Sequence, residues 1–231
     1  MQSQLESRVV VVTGGFGVLG RAVGAELARR GAQVVLLDRA PQPAGLDEGA
    51  LALGGVDLAD KAAGAAAFDA VVQRFGRLDG LVNVAGGFSW ETVADGSIDT
   101  WDRLYAMNVR TAVLASQAAL PALLKNGAGR IVNVGALGAV QAAMGMGAYA
   151  ASKAGVARFT EALSEELKDK GVTVNAVLPS ILDTPTNRAD MPSAEFDRWV
   201  QPAALAAVVA FLLSDDAASI TGALLPVRGR V

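Results

Sequence analysis

Tyr149 and Lys153, four positions apart in Tyr149-Ala150-Ala151-Ser152-Lys153, carry the clearest chemistry in this chain. On a helix, positions i and i+4 share a face, so the phenol and the ammonium would point the same way. A cation beside a phenol favours the phenolate and lowers its pKa toward neutrality. Tyr149 would then serve as a general acid or base, with Lys153 also able to hydrogen-bond a ribose. The chain has no histidine and no cysteine, which removes the usual base, the commonest metal ligand and all thiol chemistry. Proton transfer must fall to Tyr, Lys, Asp or Glu, and no metal site is expected. Taken alone, a Tyr four residues before a Lys is common on solvated helices, so its meaning depends on its surroundings.

Those surroundings include a glycine cluster, Thr13-Gly14-Gly15-Phe16-Gly17-Val18-Leu19-Gly20, between an apolar run and a helical pattern. A pyrophosphate must approach backbone amides at a helix N-terminus, and a Cβ in the turn would block it. Gly14, Gly17 and Gly20 are the expected seat of a dinucleotide, with Phe16, Val18 and Leu19 completing the loop. Asp38 closes the second apolar run, where a carboxylate can accept from a ribose hydroxyl and repels a 2′-phosphate. NAD(H) is therefore the preferred cofactor. Arg39 could pair with such a phosphate, which keeps NADP(H) as the second option. Asp57, after a third apolar stretch, suits an adenine edge or an N-cap for the helix near Lys61.

The elements that must position these groups are read from periodicity. Arg8–Val12, Gln33–Leu37, Gly80–Val84, Arg130–Val134 and Val172–Val177 are buried-strand runs, with a last strand near Ala223–Val227. Helical patterns cover Gly20–Arg30, Lys61–Phe75, Thr100–Leu124, Tyr149–Lys170 and Pro202–Ser214. This alternation predicts one doubly wound, Rossmann-type α/β domain over 1–231, with about seven parallel strands and helices on both faces. The cofactor half is expected over about 1–130 and the catalytic half over about 131–231.

With these pieces in place the chain resembles the short-chain dehydrogenase/reductase family along nearly its whole length. The matching residues are the glycine loop, Asn83-Val84-Ala85-Gly86, Asn108, the Tyr149/Lys153 pair, and Pro179 through Thr184. The resemblance implies that Tyr149 and Lys153 are catalytic and that Asn108 helps hold a proton-relay water. It also implies that Ala85, Gly86 and Gly87 border the cofactor, and that Pro179, Ile181 and Thr184 contact its carboxamide. Two departures stand out. Val18 replaces a loop glycine, and Ala136 stands where the family has a catalytic serine, whose loss removes a donor to the substrate oxygen.

Within that family the chain is most similar to dihydropteridine reductase. The narrower resemblance rests on the glycine spacing, Val84-Ala85-Gly86-Gly87-Phe88, the serine-free Gly135-Ala136, and Gly145-Met146 before Tyr149. It also rests on Val177-Leu178-Pro179, Leu182-Asp183-Thr184-Pro185-Thr186-Asn187-Arg188, Met191-Pro192, Phe196 and Trp199. It implies reduction of a quinonoid dihydropterin by NADH, with Phe88 over the flat ring in place of the usual Trp. Asn108 belongs instead to the carbonyl-reducing branch. A carbonyl or alcohol oxidoreductase is thus the alternative, and a non-catalytic NAD(H)-binding module the third reading.

Several residues read both ways. Met144 and Met146 line the substrate approach or fill gaps. Asp183, Asn187 and Arg188 contact substrate from a lid punctuated by Pro185 and Pro192, or cap turns. Trp90 and Trp101 read as packing residues, and Trp199 as packing or substrate contact. A net charge of −3 leaves no basic footprint for nucleic acid, and no apolar run is long enough to span a bilayer. The polar start, MQSQLESR, and the missing cysteines point to the cytoplasm. The partner is a small-molecule substrate. A homodimer or homotetramer through the two long helices is expected, with Ala112, Ala115, Ala119 and Ala157 permitting close packing.

Overall fold

Short Val- and Leu-rich runs form the strands because both their faces are covered. In the computed structural model these are β1 (Val9–Thr13), β2 (Gln33–Leu37), β3 (Leu51–Leu53), β4 (Gly80–Asn83), β5 (Arg130–Val134), β6 (Thr173–Pro179) and β7 (Leu224–Val227). They make one parallel sheet in the order β3-β2-β1-β4-β5-β6-β7. The structure describes residues 5–44 and 51–231; the first four residues of the polar N-terminal stretch lie outside it, as do 45–50.

The helices are α1 (Val18–Arg29), α2 (Lys61–Phe75), α3 (Ile98–Tyr105), α4 (Thr111–Asn126), α5 (Gly147–Leu167), α6 (Pro185–Asp190) and α7 (Pro202–Leu213). Alternation along β1 separates two cores. Val10 and Val12 join Leu19, Val23, Leu205 and Val209 under α1 and α7. Val9 and Val11 join Phe68, Val71, Ala115 and Leu163 under α2, α4 and α5. The strand order reverses between β1 and β4, and the crevice at that switch point is where a parallel sheet accepts ligands. Among the described residues no helix is long and apolar enough to cross a membrane.

Three expectations need correction. The helix expected over Thr100–Leu124 is interrupted by a π-turn at Ala106–Arg110, between α3 and α4. Thr111 Oγ1, from the first residue of α4, donates back to Met107 O in this turn at 2.6 Å. Such turns often mark functional positions, and Asn108 sits in this one. The N-cap of α2 is Asp60, whose carboxylate accepts from the amides of Ala62 and Ala63. Asp57 instead turns back on the amide of Ala59. Ala112, Ala115, Ala119 and Ala157 are buried in the chain's own core and form no outer face for a partner.

Candidate active site

The glycine loop is shaped by what a side chain would strike. Gly14 holds φ +62°, a left-handed conformation, with an ideal Cβ only 2.8 Å from Ala85 N. At Gly20 a Cβ would fall 2.1 Å from Gly14 O, so the loop closes tightly on the first turn of α1. At Gly17, the N-cap of α1, a Cβ would meet only Gly14 O, at 3.4 Å. Val18, Leu19 and Gly20 form the first turn of α1, whose amides have no intrahelical acceptor. The Val18 side chain points to solvent and Leu19 into the core. This cradle fits a pyrophosphate.

Asp38 is half-buried at the end of β2. Its Oδ2 accepts from Phe16 N and its Oδ1 from Ala40 N, both at 3.0 Å. The carboxylate thus ties the glycine loop to β2 and keeps lone pairs for a ribose hydroxyl. Arg39 and Asp57 are exposed beside it. Across the switch point, Thr13 Oγ1 accepts from Val84 N and Ala85 N at 3.1 and 3.2 Å.

Tyr149 and Lys153 stand on the first turns of α5, as the spacing predicts. Lys153 is buried, and its Nζ donates to Val134 O at 2.8 Å. A Cβ on Gly86 would come within 3.4 Å of that nitrogen and 2.5 Å of Asn108 Oδ1, so bare backbone lines this side. Asn108 Oδ1 accepts from Gly87 N at 2.8 Å, while its Nδ2 donates to Gly87 O and to Ser152 Oγ. Both amide hydrogens are therefore taken by the chain itself. Ser152 Oγ donates in turn to Tyr149 O at 2.7 Å.

The expected depression of the tyrosine pKa is not found. Burial alone acts on the phenol and pushes it up to about 12. Burial likewise pushes the Lys153 ammonium down to about 8. Desolvation disfavours the charged form of each group, and Lys153 directs a donor to Val134.

The mouth of the crevice is apolar. Phe88 meets Tyr149 edge-on, with ring centroids 4.9 Å apart. A Cβ on Gly138 would lie 3.3 Å from Met146 Cε and 3.8 Å from Tyr149 Cε1. Met144 is exposed, but its carbonyl accepts from Trp90 Nε1 at 3.0 Å. Glu91 N donates to Gly145 O at 2.8 Å, and at Gly145, φ +75°, a Cβ would overlap the Trp90 indole. Trp90 thus clasps the loop after β4 to the loop before α5. The short-chain dehydrogenase family model matches residues 8–194.

The chain belongs to the short-chain dehydrogenase family.

It is 34% identical to the 2-(S)-hydroxypropyl-CoM dehydrogenase 3 of Xanthobacter autotrophicus, over 99% of this chain and 98% of that one. It is also 34% identical to the meso-2,3-butanediol dehydrogenase of Serratia marcescens, over 98% of this chain and 95% of that one. A carveol dehydrogenase from Mycobacterium avium, solved with NAD, superposes with a TM-score of 0.87 at 25% identity, covering 98% of each chain. The chain is accordingly an oxidoreductase of a family that binds nicotinamide cofactors. None of these relatives is named a dihydropteridine reductase, so the narrower resemblance does not carry over to them.

Against that family, the position of the catalytic serine holds Ala136, buried in extended backbone just after β5. Pro179 ends β6, and Ile181 O accepts from Val200 N beyond it. Thr184 caps α6 by accepting from Asn187 N, and Asn187 Nδ2 donates to Leu182 O. Asp183 pairs with Arg188 and accepts from Gln201, and the two hold its carboxyl down at about 2. These bonds tie Asp183, Asn187 and Arg188 into the segment between β6 and α7. Trp199 is buried, its ring tilted against that of Phe196 with centroids 4.9 Å apart. Among the described residues no cluster could hold a metal ion.

Some positioning contacts escape sequence reasoning. Asn83 Nδ2 donates to Asn133 Oδ1 across β4 and β5 at 2.8 Å, and Asn133 Nδ2 donates to Thr160 Oγ1 on α5. A second hydrogen bond joins Asn83 to Ser116 on α4. Asn at matching positions of two adjacent strands was the only available signal.

Proposed function

We propose that the chain catalyses reversible oxidation of a small secondary alcohol to its ketone, using NAD(H) in preference to NADP(H). The observation that carries this reading is the buried Lys153 ammonium, fixed on Val134 O one turn from the Tyr149 phenol. The bound nicotinamide supplies or accepts the hydride. Tyr149 gives its proton to the substrate oxygen in reduction and takes it back in oxidation. Lys153 has three N–H donors and spends one on Val134 O, so two remain for ribose hydroxyls. Asn108 positions the Gly86–Gly87 turn against α5. Phe88, Met146, Met144 and Trp90 make a mouth suited to an apolar substrate. The relatives named for hydroxypropyl and butanediol substrates support the alcohol class. A homodimer through α4 and α5 belongs to the same reading and is checked by light scattering.

A second reading is favoured by Ala136. Quinonoid dihydropterin reduction needs no serine at that position, and Phe88 presents a ring for a flat heterocycle. The deciding assay compares secondary alcohols and diols, their ketones, and quinonoid dihydropterin, each with both nicotinamide pairs. Alcohol or ketone turnover above pterin turnover upholds the proposal, and the reverse order replaces it with the second. NADH binding with no turnover on any of them would leave only a binding module.

Two substitutions sharpen the assay. Ala136→Ser restores a donor toward the substrate oxygen and is expected to raise ketone reduction by about 10²–10³-fold, leaving pterin turnover unchanged. Unchanged ketone rates would mean that another group already fills this role. Asp38→Asn keeps an acceptor but removes the charge that repels a 2′-phosphate. It is expected to shift the NADH/NADPH ratio of kcat/KM toward NADPH by about 10–100-fold.

A further inference from the structure

At the opposite end of the strands from the switch-point crevice, the turns leading into β5, β6 and β7 border a cavity of ≈ 390 Å³. Arg130, Lys168, Thr173, Ser219 and Thr221 supply its polar wall. Arg130 and Thr173 are register partners on the first rungs of β5 and β6, so their side chains leave the sheet on one face. They are only 4% and 7% exposed. Even so, Arg130 Nε and Thr173 Oγ1 have no hydrogen-bond partner. Buried polar groups are normally paired, and two orphans on one cavity wall call for a shared ligand.

The charge around Arg130 is also incomplete. Its guanidinium donates to Gly129 O at 3.0 Å and lies 3.6 Å from Asp215, which is exposed and makes its closer ion pair with Arg8. Two guanidiniums thus share one carboxylate. Burial and the nearby Arg8 both lower the Arg130 pKa, against a weaker opposing pull from Asp215. Lys168, paired with the exposed Glu165, adds a cation at the rim. Thr221 Oγ1 accepts from Val174 N at 3.1 Å, which leaves its O–H free to donate.

We propose that this cavity binds a small oxyanion, a phosphate or carboxylate group, with Arg130 supplying charge and Thr173 and Thr221 hydroxyl donors. Such a group would accept from the orphaned Nε–H and hydroxyl and provide the missing negative charge. The site is separate from the dinucleotide cradle. Arg130 and Val134, whose carbonyl holds Lys153, are opposite ends of β5, about 13 Å apart at 3.3 Å per residue.

The test is thermal unfolding and calorimetric titration of the full chain with inorganic phosphate at constant ionic strength, with and without saturating NADH. Saturable stabilisation that persists with NADH is expected. Thr173→Val and Lys168→Ala should each weaken the apparent Kd by about tenfold, as loss of one charge-assisted bond does. Lys168 is exposed, so its variant keeps the test interpretable if Thr173→Val folds poorly. Glycerol 3-phosphate and succinate, run alongside, separate a phosphoryl or carboxylate metabolite from the free ion; tighter binding of any of the three upholds the site. No stabilisation by any of them, stabilisation abolished by NADH, or equal stabilisation of wild type and both variants would overturn it.

Discussion

Tyr149→Phe is expected to lower kcat by about 10²–10⁴-fold, the usual contribution of a positioned acid–base group. The ring survives this substitution, so the edge-on contact with Phe88 at 4.9 Å remains. NADH affinity should therefore change little. Steady-state kinetics beside a fluorescence titration of NADH separate the two effects, and wild-type turnover in the variant would remove Tyr149 from the chemistry. The raised phenol pKa, about 12, adds a directional expectation. A phenol that keeps its proton is ready to act as the acid of ketone reduction, so any alkaline fall in that rate should follow Lys153, whose ammonium loses its proton near pH 8, and not Tyr149. Alcohol oxidation needs the phenolate and should climb with pH until about 12.

Lys153→Met is expected to raise stability while lowering turnover. Burial holds the ammonium at about 8 against an ordinary 10.5. The folded state thus binds this proton less well than the unfolded state. Below about pH 8 both states are protonated, and the chain bears the full cost of burying the charge, up to about 3 kcal/mol at 1.36 kcal/mol per unit. Losing the Nζ bond to Val134 O offsets about 1–1.5 kcal/mol of the gain. A net stabilisation of about 1–2 kcal/mol should raise Tm at pH 7 by roughly 2–8 °C. Between pH 8 and 10.5 the unfolded state holds more protons than the folded one, so wild-type stability rises with pH and the gap closes. Turnover should fall together with NADH affinity, because the ribose loses its cation. Calorimetry at pH 7 and 10 checks the sign, and a less stable variant at pH 7 would show that Val134 and Gly86 hold the ammonium at no net cost.

These two residues also show where the sequence was legible and where it was not. The four-residue spacing sufficed to put the phenol and ammonium on adjacent turns of α5. It did not reveal their pKa values, because desolvation depends on Gly86, Val134 and Phe88, which arrive from other strands and loops. The strand and helix boundaries followed the same division. Runs bounded by turn residues, such as Gln33–Leu37, Lys61–Phe75 and Arg130–Val134, came out as expected. The π-turn around Asn108 did not, since one extra residue in a helical turn leaves the apolar pattern nearly unchanged. Nor did the Asn83–Asn133 bridge, which exists only once β4 and β5 are in register.

The Trp90 clasp constrains how the cleft can open. An indole that bonds Met144 O and lies on Gly145 joins two loops from different strands into one body. Neither can swing alone without breaking that bond and uncovering the ring. The two loops are therefore expected to open together, with a single rate wherever the probe is attached. A bulkier residue at 145 would push the indole away and leave only the backbone bond from Glu91 N to Gly145 O between the two leaves of that door.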